Sequence, residues 1–307
     1  MSFSAAADGA RLLSGIRWDE GTPERVKPEI VRLLGAACLV ESRGDSYGAY
    51  LGRVFCDDPE FLKSIALWSQ EENEHGIVLG TWLTRSFPDF NFSALFEKYT
   101  QGLKLAYEDS NDQASIRGSK AAELLSRCSV ESATSTYYKT VRDLVDDSSL
   151  KDICSRLSRD EIKHFTLFCT KLDEQRYKDE ISTSKLLCMS ISRLFEAEDD
   201  QMSYAYYVAC NTDAPYERGY YSTVMAATAF GLYTKERISE LIKLNVRALN
   251  LADSLIGRVV GYKNLVSTLT NALYLYIKAR HYLANLKLKT LYRGRSIRPS
   301  AEEACNG

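Results

Sequence analysis

The chain has 307 residues, 45% of them hydrophobic and 11% aromatic, so it is long and apolar enough to bury a continuous core. Lys and Arg number 39 against 41 Asp and Glu, and the formal net charge of −2 gives no global basis for binding nucleic acid or an anionic membrane, so any charge-based partner must bind locally. The N-terminus lacks the basic start and apolar run of a secretory signal, and no stretch approaches the roughly 18 apolar residues that span a bilayer. These features predict a cytoplasmic protein with no membrane span.

The hydrophobic periodicity is helical along almost the whole chain, and only six prolines interrupt it. No stretch rich in Gly, Ser or Pro marks a domain boundary, so an all-α protein with one domain over residues 1–307 is expected. Four long helices are predicted first, at about Glu29 to Phe55, Glu60 to Ser86, Ser119 to Val145, and from the turn at Asp146 to Ser149 on to about Tyr177.

The predicted connections between these helices are those of a four-helix bundle. Short turns join the helices in pairs, and residues 89–118 form a longer crossover between the pairs. The predicted core bundle covers about residues 25–177. About three more amphipathic helices are expected over residues 182–291, with a break in the segment Asn211 to Tyr221.

The second predicted helix carries the segment WSQEENEHG, which places acidic groups and a histidine on an otherwise apolar face. Steps of three and four residues define a core-facing stripe, and here the stripe is Ile65, Trp68, Glu72, His75, Leu79 and Trp82. Glu72 and His75 are therefore expected to face inward.

The fourth predicted helix repeats this pattern in the segment SRDEIKHF, where Glu161 and His164 lie on the inward stripe. The first and third helices each carry one acidic residue on their inward stripes, Glu41 and Glu131. The chain thus contains two copies of one unit, a helix with an inward Glu followed by a helix with an inward Glu-x-x-His. This is an internal pseudo-repeat.

Four inward carboxylates in an apolar bundle would each cost several kcal/mol unless cations lie among them. Two divalent ions balance four carboxylates in formal charge, and two imidazoles complete a mixed oxygen and nitrogen coordination that suits iron or manganese. Ferritin-like di-iron proteins carry one Glu on each of two helices and Glu-x-x-His on each of the other two. This chain resembles them in that pattern. The resemblance implies a ferritin-like four-helix bundle with about three additional C-terminal helices.

Three segments also resemble soluble acyl-carrier-protein desaturases. WSQEENEHG is similar to their tryptophan-flanked E-E-N-x-H-G segment, RDEIKH to their D-E-x-x-H segment, and ESAT, which ends at Thr134, to their E-x-A-T. The similarity covers roughly residues 25–175 and is not traceable through the rest of the chain. It implies six iron ligands, which are Glu41, Glu72, His75, Glu131, Glu161 and His164. It also implies that the Thr134 hydroxyl lies beside the oxygen-binding face, and the alternative for Thr134 is a hydrogen bond to a helix carbonyl.

The resemblance implies an O2-dependent oxidoreductase with a di-iron centre, or with a manganese or mixed manganese and iron centre, and O2 as co-substrate. The expected reaction is desaturation or hydroxylation of an acyl chain, either free or bound to an acyl carrier protein. The expected partners are an external electron donor, a ferredoxin or a reductase, and a second copy of the chain in a homodimer.

Other functions stay open. The same motifs occur in di-iron arylamine N-oxygenases, so N-oxygenation of an amine is an alternative, in which His281 would fit as a seventh ligand rather than a surface residue. A ferritin-type ferroxidase or iron store, or a rubrerythrin-type peroxide scavenger, is an alternative of another class. Roughly 120 residues beyond the four helices favour an enzyme with a substrate cavity. Leu79 stands where the radical-generating subunits of ribonucleotide reductase carry a tyrosine, which disfavours that function.

Several further features carry expectations. Glu71 and Asp160 each precede a glutamate of the motifs, and they are candidates either to orient a ligand histidine or to lie on the surface. The 19 tyrosines cluster late in the chain, where packing is the main expectation. No acidic residue occurs between Asp253 and Glu302 whereas nine basic residues do, so the segment Tyr274 to Arg298 is hypothesised to dock an acidic protein.

The cysteines form no C-x-x-C pair, which argues against a zinc ribbon, a rubredoxin-like iron site and a redox dithiol. They are expected to be small core residues in a reducing compartment. The eight positions are Cys38, Cys56, Cys128, Cys154, Cys169, Cys188, Cys210 and Cys305.

Overall fold

The computed structural model describes residues 11–18, 26–105, 107–108, 112–179 and 200–295. All regular structure in these ranges is helical and none is β-strand, which confirms the all-α prediction. A short 3-10 turn, Arg11–Leu13, precedes the α-helices. These are α1 (Pro28–Glu41), α2 (Gly44–Val54), α3 (Pro59–Ser86), α4 (Phe92–Gly102), α5 (Lys120–Leu144), α6 (Ser148–Lys178), α7 (Asp200–Ala209), α8 (Arg218–Leu232), α9 (Lys235–Ala248), α10 (Leu255–Val260) and α11 (Tyr262–Thr290).

Capping side chains and a proline fix the starts of the long helices. Pro59 occupies the first turn of α3, where its missing N–H is not needed, and the Asp58 carboxylate accepts a hydrogen bond from the Phe61 N–H at 3.0 Å. The Ser119 hydroxyl and the Asp147 carboxylate cap α5 and α6 in the same way. These three helices therefore begin within two residues of their predicted positions.

The single first helix predicted from the sequence is wrong, because the chain forms two helices, α1 and α2, with a break directly after Glu41. The Ser42 hydroxyl donates to the Cys38 carbonyl at 2.7 Å and satisfies one of the last carbonyls of α1. The next side chain, Arg43, turns inward and forms an ion pair with Glu108. The apolar stripe continues across both helices, so the periodicity did not reveal the break.

Two glycines let α2 lie very close to α3. A Cβ atom added to Gly44 would lie 2.4 Å from the Ser69 carbonyl oxygen, and one added to Gly48 would lie 2.5 Å from the Ser69 hydroxyl. Neither space admits a side chain, so the approach requires glycine at both positions. The Ser69 hydroxyl completes the contact by donating to the Gly44 carbonyl at 3.0 Å.

The long helices pack in a bundle-like arrangement. α1 and α2 lie against α3, α5 lies against α6, and α3 in turn contacts α6. One hydrophobic cluster contains Trp68 and Phe168, and a second contains Leu79 and Leu157. On α3 and α6 the predicted site residues fall between members of these two clusters, so the site is enclosed by apolar side chains from both ends of the bundle.

The C-terminal part differs from its prediction. It contains the five helices α7 to α11 where about three were expected, and residues 182–199 of the predicted region lie outside the described residues. Thr234 caps α9, and Gly261, at φ +80°, separates α10 from α11, so local turn signals account for the additional helices. The predicted break at Asn211 to Tyr221 is shorter than expected, because α8 begins at Arg218.

These later helices cover the bundle. α7 packs on α1, α9 packs on α5, and α11 packs on α8 and α9, while the predicted crossover contains α4, which contacts α7. Packing is confirmed for part of the late tyrosines, because Tyr204, Tyr206, Tyr207, Tyr220 and Tyr221 belong to one buried cluster, whereas Tyr282 is exposed. Five cysteines in the described ranges are buried, but Cys56 is exposed. No helix in these ranges combines the length and the apolar character that a bilayer crossing requires.

Candidate metal centre

The four acidic residues and two histidines predicted as ligands converge inside the bundle. Glu41 ends α1, while the other five lie within helices α3 (Glu72 and His75), α5 (Glu131) and α6 (Glu161 and His164). All six residues are buried, and none is more than 7% exposed. The imidazole rings of the two histidines have their centroids 5.5 Å apart. The sequence therefore placed all six residues on the correct faces of their helices.

The six side chains form two sets, and within each set the four ligand atoms lie within 4.8 Å of one another. The first set is Glu41, Glu72, His75 and Glu161, and the second is Glu72, Glu131, Glu161 and His164. Glu72 and Glu161 belong to both sets. Each set offers three carboxylates and one imidazole and could hold a metal ion.

Several buried polar atoms of these residues have no hydrogen-bond partner. They are Oε1 of Glu72, Oε1 of Glu161, Nδ1 of His164 and both ring nitrogens of His75. His75 Nδ1 lies 3.0 Å from Glu161 Oε1, but the two atoms are not aligned for a hydrogen bond. Buried polar atoms are normally paired, and cations between the two sets would satisfy these lone pairs together. The residues of each set therefore fit a metal ion with mixed oxygen and nitrogen ligands.

Two further carboxylates face the outer nitrogens of the histidines. Glu71 on α3 lies 2.9 Å from Nε2 of His164 on α6. Asp160 on α6 lies 4.0 Å from Nε2 of His75 on α3. Carboxylates in this position fix the tautomer and the orientation of a ligand imidazole. Of the two roles predicted for these residues, the structure supports orientation of a histidine for Glu71. Asp160 is buried and faces His75, but at 4.0 Å it lies beyond hydrogen-bond distance from Nε2.

Burial and neighbouring charges shift the glutamates in opposite directions. Burial and nearby carboxylates raise the pKa of Glu41 and of Glu131 well above the usual value. Burial alone would also raise the pKa of Glu161, but His164 and His75 outweigh it and hold that pKa well below its usual value. Without metal, protonation is therefore favoured on Glu41 and Glu131 over the shared Glu161.

The two histidines also retain protons when no metal is bound. Burial opposes the charged form of His75, but the carboxylates of Asp160 and Glu161 outweigh it and raise the pKa of His75 to about 9. Burial also opposes the charged form of His164, but the carboxylates of Glu131 and Glu161 outweigh it and raise the pKa of His164. Metal ions would replace these protons, since a ligand imidazole binds through a deprotonated nitrogen.

Thr134 lies one turn after Glu131 on α5, and its hydroxyl is 2.9 Å from Oε2 of Glu161. The same hydroxyl lies 3.1 Å from the Val130 carbonyl and 3.2 Å from the Glu131 carbonyl. A hydroxyl donates one proton at a time, so the contact with the site and the contact with the helix backbone are alternatives. Thr134 is thus in contact with one of the two shared carboxylates.

Sequence reasoning missed one contact at the site. Tyr138, fully buried on α5, donates a hydrogen bond to Oε1 of Glu41 at 2.6 Å. Its spacing is the signal that could have revealed the contact, because Tyr138 lies two turns after Glu131 on the same inward stripe. The neighbouring Tyr137 is half-buried, and its hydroxyl has no hydrogen-bond partner.

The third histidine belongs to neither ligand set. His281 lies on α11, where its Nδ1 is 2.8 Å from the carbonyl oxygen of Ala227 on α8. A Cβ atom added to Gly231 of α8 would lie 2.9 Å from the His281 ring, so the imidazole fills this helix contact. The seventh-ligand alternative for His281 is therefore not supported.

A cleft of about 350 Å³ opens along α6 beside the site. Its lining residues are Leu12, Asp152, Arg156, Arg159, Asp160 and Lys163. The Lys163 ammonium lies 2.5 Å from Oδ1 of Asp160, the carboxylate that faces His75. The cleft is therefore polar, and the ion pair of Lys163 with Asp160 lies where it reaches the surroundings of the ligand sets.

Comparison with known proteins found no relative, because no family model and no curated protein matches the chain. The likeness to di-iron proteins thus rests on the motifs and on the geometry of the two ligand sets. Function has to be inferred from the chemistry of the site, since a fold alone does not determine it.

Proposed function

We propose that this protein holds two iron or manganese ions between α1, α3, α5 and α6 and uses them, with O2, to oxidise an organic substrate. The observation that carries the proposal is that Glu72 and Glu161 belong to both ligand sets. Carboxylate-bridged pairs of this kind, with Glu-x-x-His on two helices, characterise the ferritin-like di-iron class that the chain resembles. Two such ions, when bound with open coordination positions, supply the electrons that reduce O2.

The surrounding residues have separate tasks in this proposal. Glu71 holds the His164 imidazole in the orientation that points Nδ1 at its ligand set. Asp160 places a negative charge 4.0 Å from Nε2 of His75. Thr134 can hold a proton at Oε2 of Glu161, a shared carboxylate. Tyr138 fixes Glu41 at the end of α1. The hydrophobic clusters on both sides exclude water, which protects reactive species from side reactions.

An acyl chain, desaturated or hydroxylated, is the substrate class that the desaturase-like motifs support. N-oxygenation of an amine is the weaker alternative, because His281 packs against Ala227 and is not available as a seventh ligand. An external electron donor belongs to the proposal, since O2 reduction consumes electrons that a substrate alone does not fully provide. The helices α7 to α11 distinguish the chain from a four-helix iron store.

Metal content measured on three single histidine variants tests the proposal. Purified wild type reconstituted with ferrous iron or manganese is expected to hold about two ions per chain. His75→Ala and His164→Ala are expected to lose at least one ion each, whereas His281→Ala, the matched control, should retain both. Full metal occupancy in His75→Ala and His164→Ala would refute the assignment of the ligands.

A second measurement separates an oxidase from an iron store. Iron uptake by an enzyme of this kind should saturate at about two ions per chain even with excess ferrous iron and O2. O2 consumption in the presence of a reductase should increase when free or carrier-linked acyl chains are added. Uptake that continues far beyond this ratio, with no effect of any acyl substrate, would favour the ferritin-type alternative.

A further inference from the structure

Exposed hydrophobic side chains are concentrated at the C-terminal end of the described chain. Twelve large hydrophobic residues are exposed in the described ranges, and eight of them lie between residues 259 and 291. These eight are Val259, Val260, Tyr262, Leu275, Tyr282, Leu283, Leu286 and Leu291. Single exposed apolar residues are ordinary, but a concentration of them on one segment marks an interaction surface.

Three of these exposed residues on α11 form one continuous row together with Ala279, which is also exposed. Leu275, Ala279, Tyr282 and Leu286 follow steps of four, three and four, so they lie on one face of the helix. We call this row the α11 stripe. Leu275 is 68% exposed and Tyr282 is 67% exposed, while Leu273 and Ile277 on the opposite face are buried. The helix thus has two apolar faces, and among the residues that the structure describes only one of these faces is covered.

Basic residues flank the stripe, and acidic residues do not. Lys278, beside the first turn of the stripe, and Lys289, just after its end, lie on one side of the helix, and Lys287 lies on the other side. The sequence holds no acidic residue between Asp253 and Glu302. The surface is therefore apolar along its centre and positive along its edges, in a chain whose net charge is −2.

We propose that the α11 stripe docks on an anionic lipid bilayer surface, with the helix lying in the plane of the headgroups. Leucine and tyrosine side chains enter the boundary between headgroups and acyl chains, and the lysines extend their stems along it and pair with lipid phosphates. Anionic lipids attract such basic residues, and the attraction weakens with salt. The protein would be a peripheral one, held at the surface by a single amphipathic face.

A second copy of the chain fits this surface less well. A symmetric dimer through α11 would place the same patch against itself, so lysines at 278, 287 and 289 would meet lysines of the other copy with no acidic residue of α11 between them. Like charges at an interface without partners are unfavourable. The apolar row therefore needs a partner that is negatively charged.

An acidic protein, the partner expected from the sequence alone, accounts for the charges but not for the row of exposed side chains. Steered docking of an acidic protein requires a positive surface, and the lysines and arginines would be enough. A bilayer uses both features, because apolar insertion and charge attraction add. A fluid surface also requires no shape complementarity from a convex helix, so the lipid surface accounts for the whole patch.

Sedimentation with lipid vesicles tests the proposal on the full-length chain. Wild type is expected to bind vesicles of phosphatidylcholine with about one-third phosphatidylserine at least tenfold more tightly than vesicles of phosphatidylcholine alone at low salt. Leu275→Gln combined with Leu286→Gln is expected to weaken binding to the anionic vesicles at least tenfold. Gln keeps the helix propensity high, so these changes remove apolar surface and leave the helix intact.

Matched controls keep the test specific. Leu67→Gln with Tyr177→Gln removes two side chains that are 65% and 81% exposed on α3 and α6, and vesicle binding should not change. The double change Lys287→Glu and Lys289→Glu should weaken binding to anionic vesicles. The double change Lys63→Glu and Lys151→Glu alters the net charge by the same amount elsewhere on the protein, and its effect should be much smaller. Circular dichroism confirms that each variant is folded.

Two results would overturn the proposal. Wild type that binds neither kind of vesicle at low salt would leave an acidic protein as the partner. The other result is a wild-type dimer in light scattering, with no vesicle binding, that becomes a monomer when Leu275 and Leu286 are both changed. This result would identify the stripe as an interface between copies of this chain. The measurements need no metal and no substrate, so their outcome is independent of the proposed oxidase function.

Discussion

Glu71 on α3 lies 2.9 Å from Nε2 of His164 on α6. This contact leaves Nδ1 of the same ring 2.9 Å from Glu72 and 3.6 Å from Glu131, so the carboxylate orients the imidazole toward its ligand set. Glu71→Ala is expected to lower metal affinity about 10- to 100-fold, because the ring loses its orientation. The affinity is measured by competition with a chelator of known strength.

The control for Glu71 lies on the same helix. Glu60 is 84% exposed and pairs only with Lys63 at the surface, so Glu60→Ala should leave metal affinity unchanged. Glu71→Gln keeps an acceptor for the His164 proton and should fall between wild type and Glu71→Ala. Equal affinities for wild type and Glu71→Ala would show that the contact does not orient the ligand.

The hydrogen bond from Tyr138 to Glu41 is a second test of the site. Tyr138→Phe should lower the free energy of unfolding of the metal-free protein by about 1 kcal/mol, because it removes the partner of a buried carboxyl group. Tyr137→Phe removes a hydroxyl that has no hydrogen-bond partner, so this adjacent change should not lower stability. Urea denaturation of both variants gives the comparison, and equal losses would contradict the account.

Two glycines of α2 offer an opposed pair of substitutions. An added Cβ at Gly44 would lie 2.4 Å from the Ser69 carbonyl and 2.9 Å from the Glu72 Cβ, so Gly44→Ala must displace α3. We expect a loss of about 1–3 kcal/mol in the free energy of unfolding, together with weaker metal binding. A Cβ at Gly52 meets only Leu62 at 3.9 Å, and Gly52→Ala should stabilise the helix by up to about 1 kcal/mol.

Stability of the metal-free protein should fall as the pH rises. The pKa of His75 is about 9 in the folded protein against an ordinary value of 6.5, so the folded state binds more protons than the unfolded state between these values. Such a group stabilises the fold below pH 6.5, and its contribution is lost as the pH rises through about 9. The shift of His164 has the same sign, and the lowered pKa of Glu161 acts only at acid pH.

Urea denaturation at a series of pH values checks this expectation, and a stability that stays level or increases from pH 6.5 to 9 would contradict it. Metal binding should show the opposite trend, since the ions displace these protons. Affinity for ferrous iron or manganese is expected to increase about tenfold per pH unit for each proton released over this interval. The proton release is measured by calorimetry in buffers of different ionisation enthalpy.

The positions of the site residues could be predicted because the signal is local. Each helix shows its inward face through spacing alone, and the faces of α3 and α6 placed Glu72, His75, Glu161 and His164 correctly. The roles of Glu71 and Asp160 could not be decided from spacing, since both residues border the inward face. Their contacts with histidines depend on the register between α3 and α6, which the sequence does not specify locally.

A long-range contact accompanies one error in the fold, and a local backbone feature accounts for another. The break after Glu41 accompanies the ion pair of Arg43 with Glu108, a residue far along the chain, and an uninterrupted apolar stripe hid it. In the C-terminal part, the separation of α10 from α11 depends on the backbone of Gly261 at φ +80°. The charge of α11 was evident from the sequence, but the exposure of Leu275 and Tyr282 required the packing of α11 on α8 and α9.

Anomalous X-ray diffraction at the iron absorption edge, on crystals of the iron-loaded protein, tests the central claim most directly. The account predicts two iron peaks about 3.5–4 Å apart, with Glu72 and Glu161 between them. One peak should lie beside Glu41 and His75, and the other beside Glu131 and His164. A single peak, or peaks away from these residues, would contradict the carboxylate-bridged pair on which the proposed function rests.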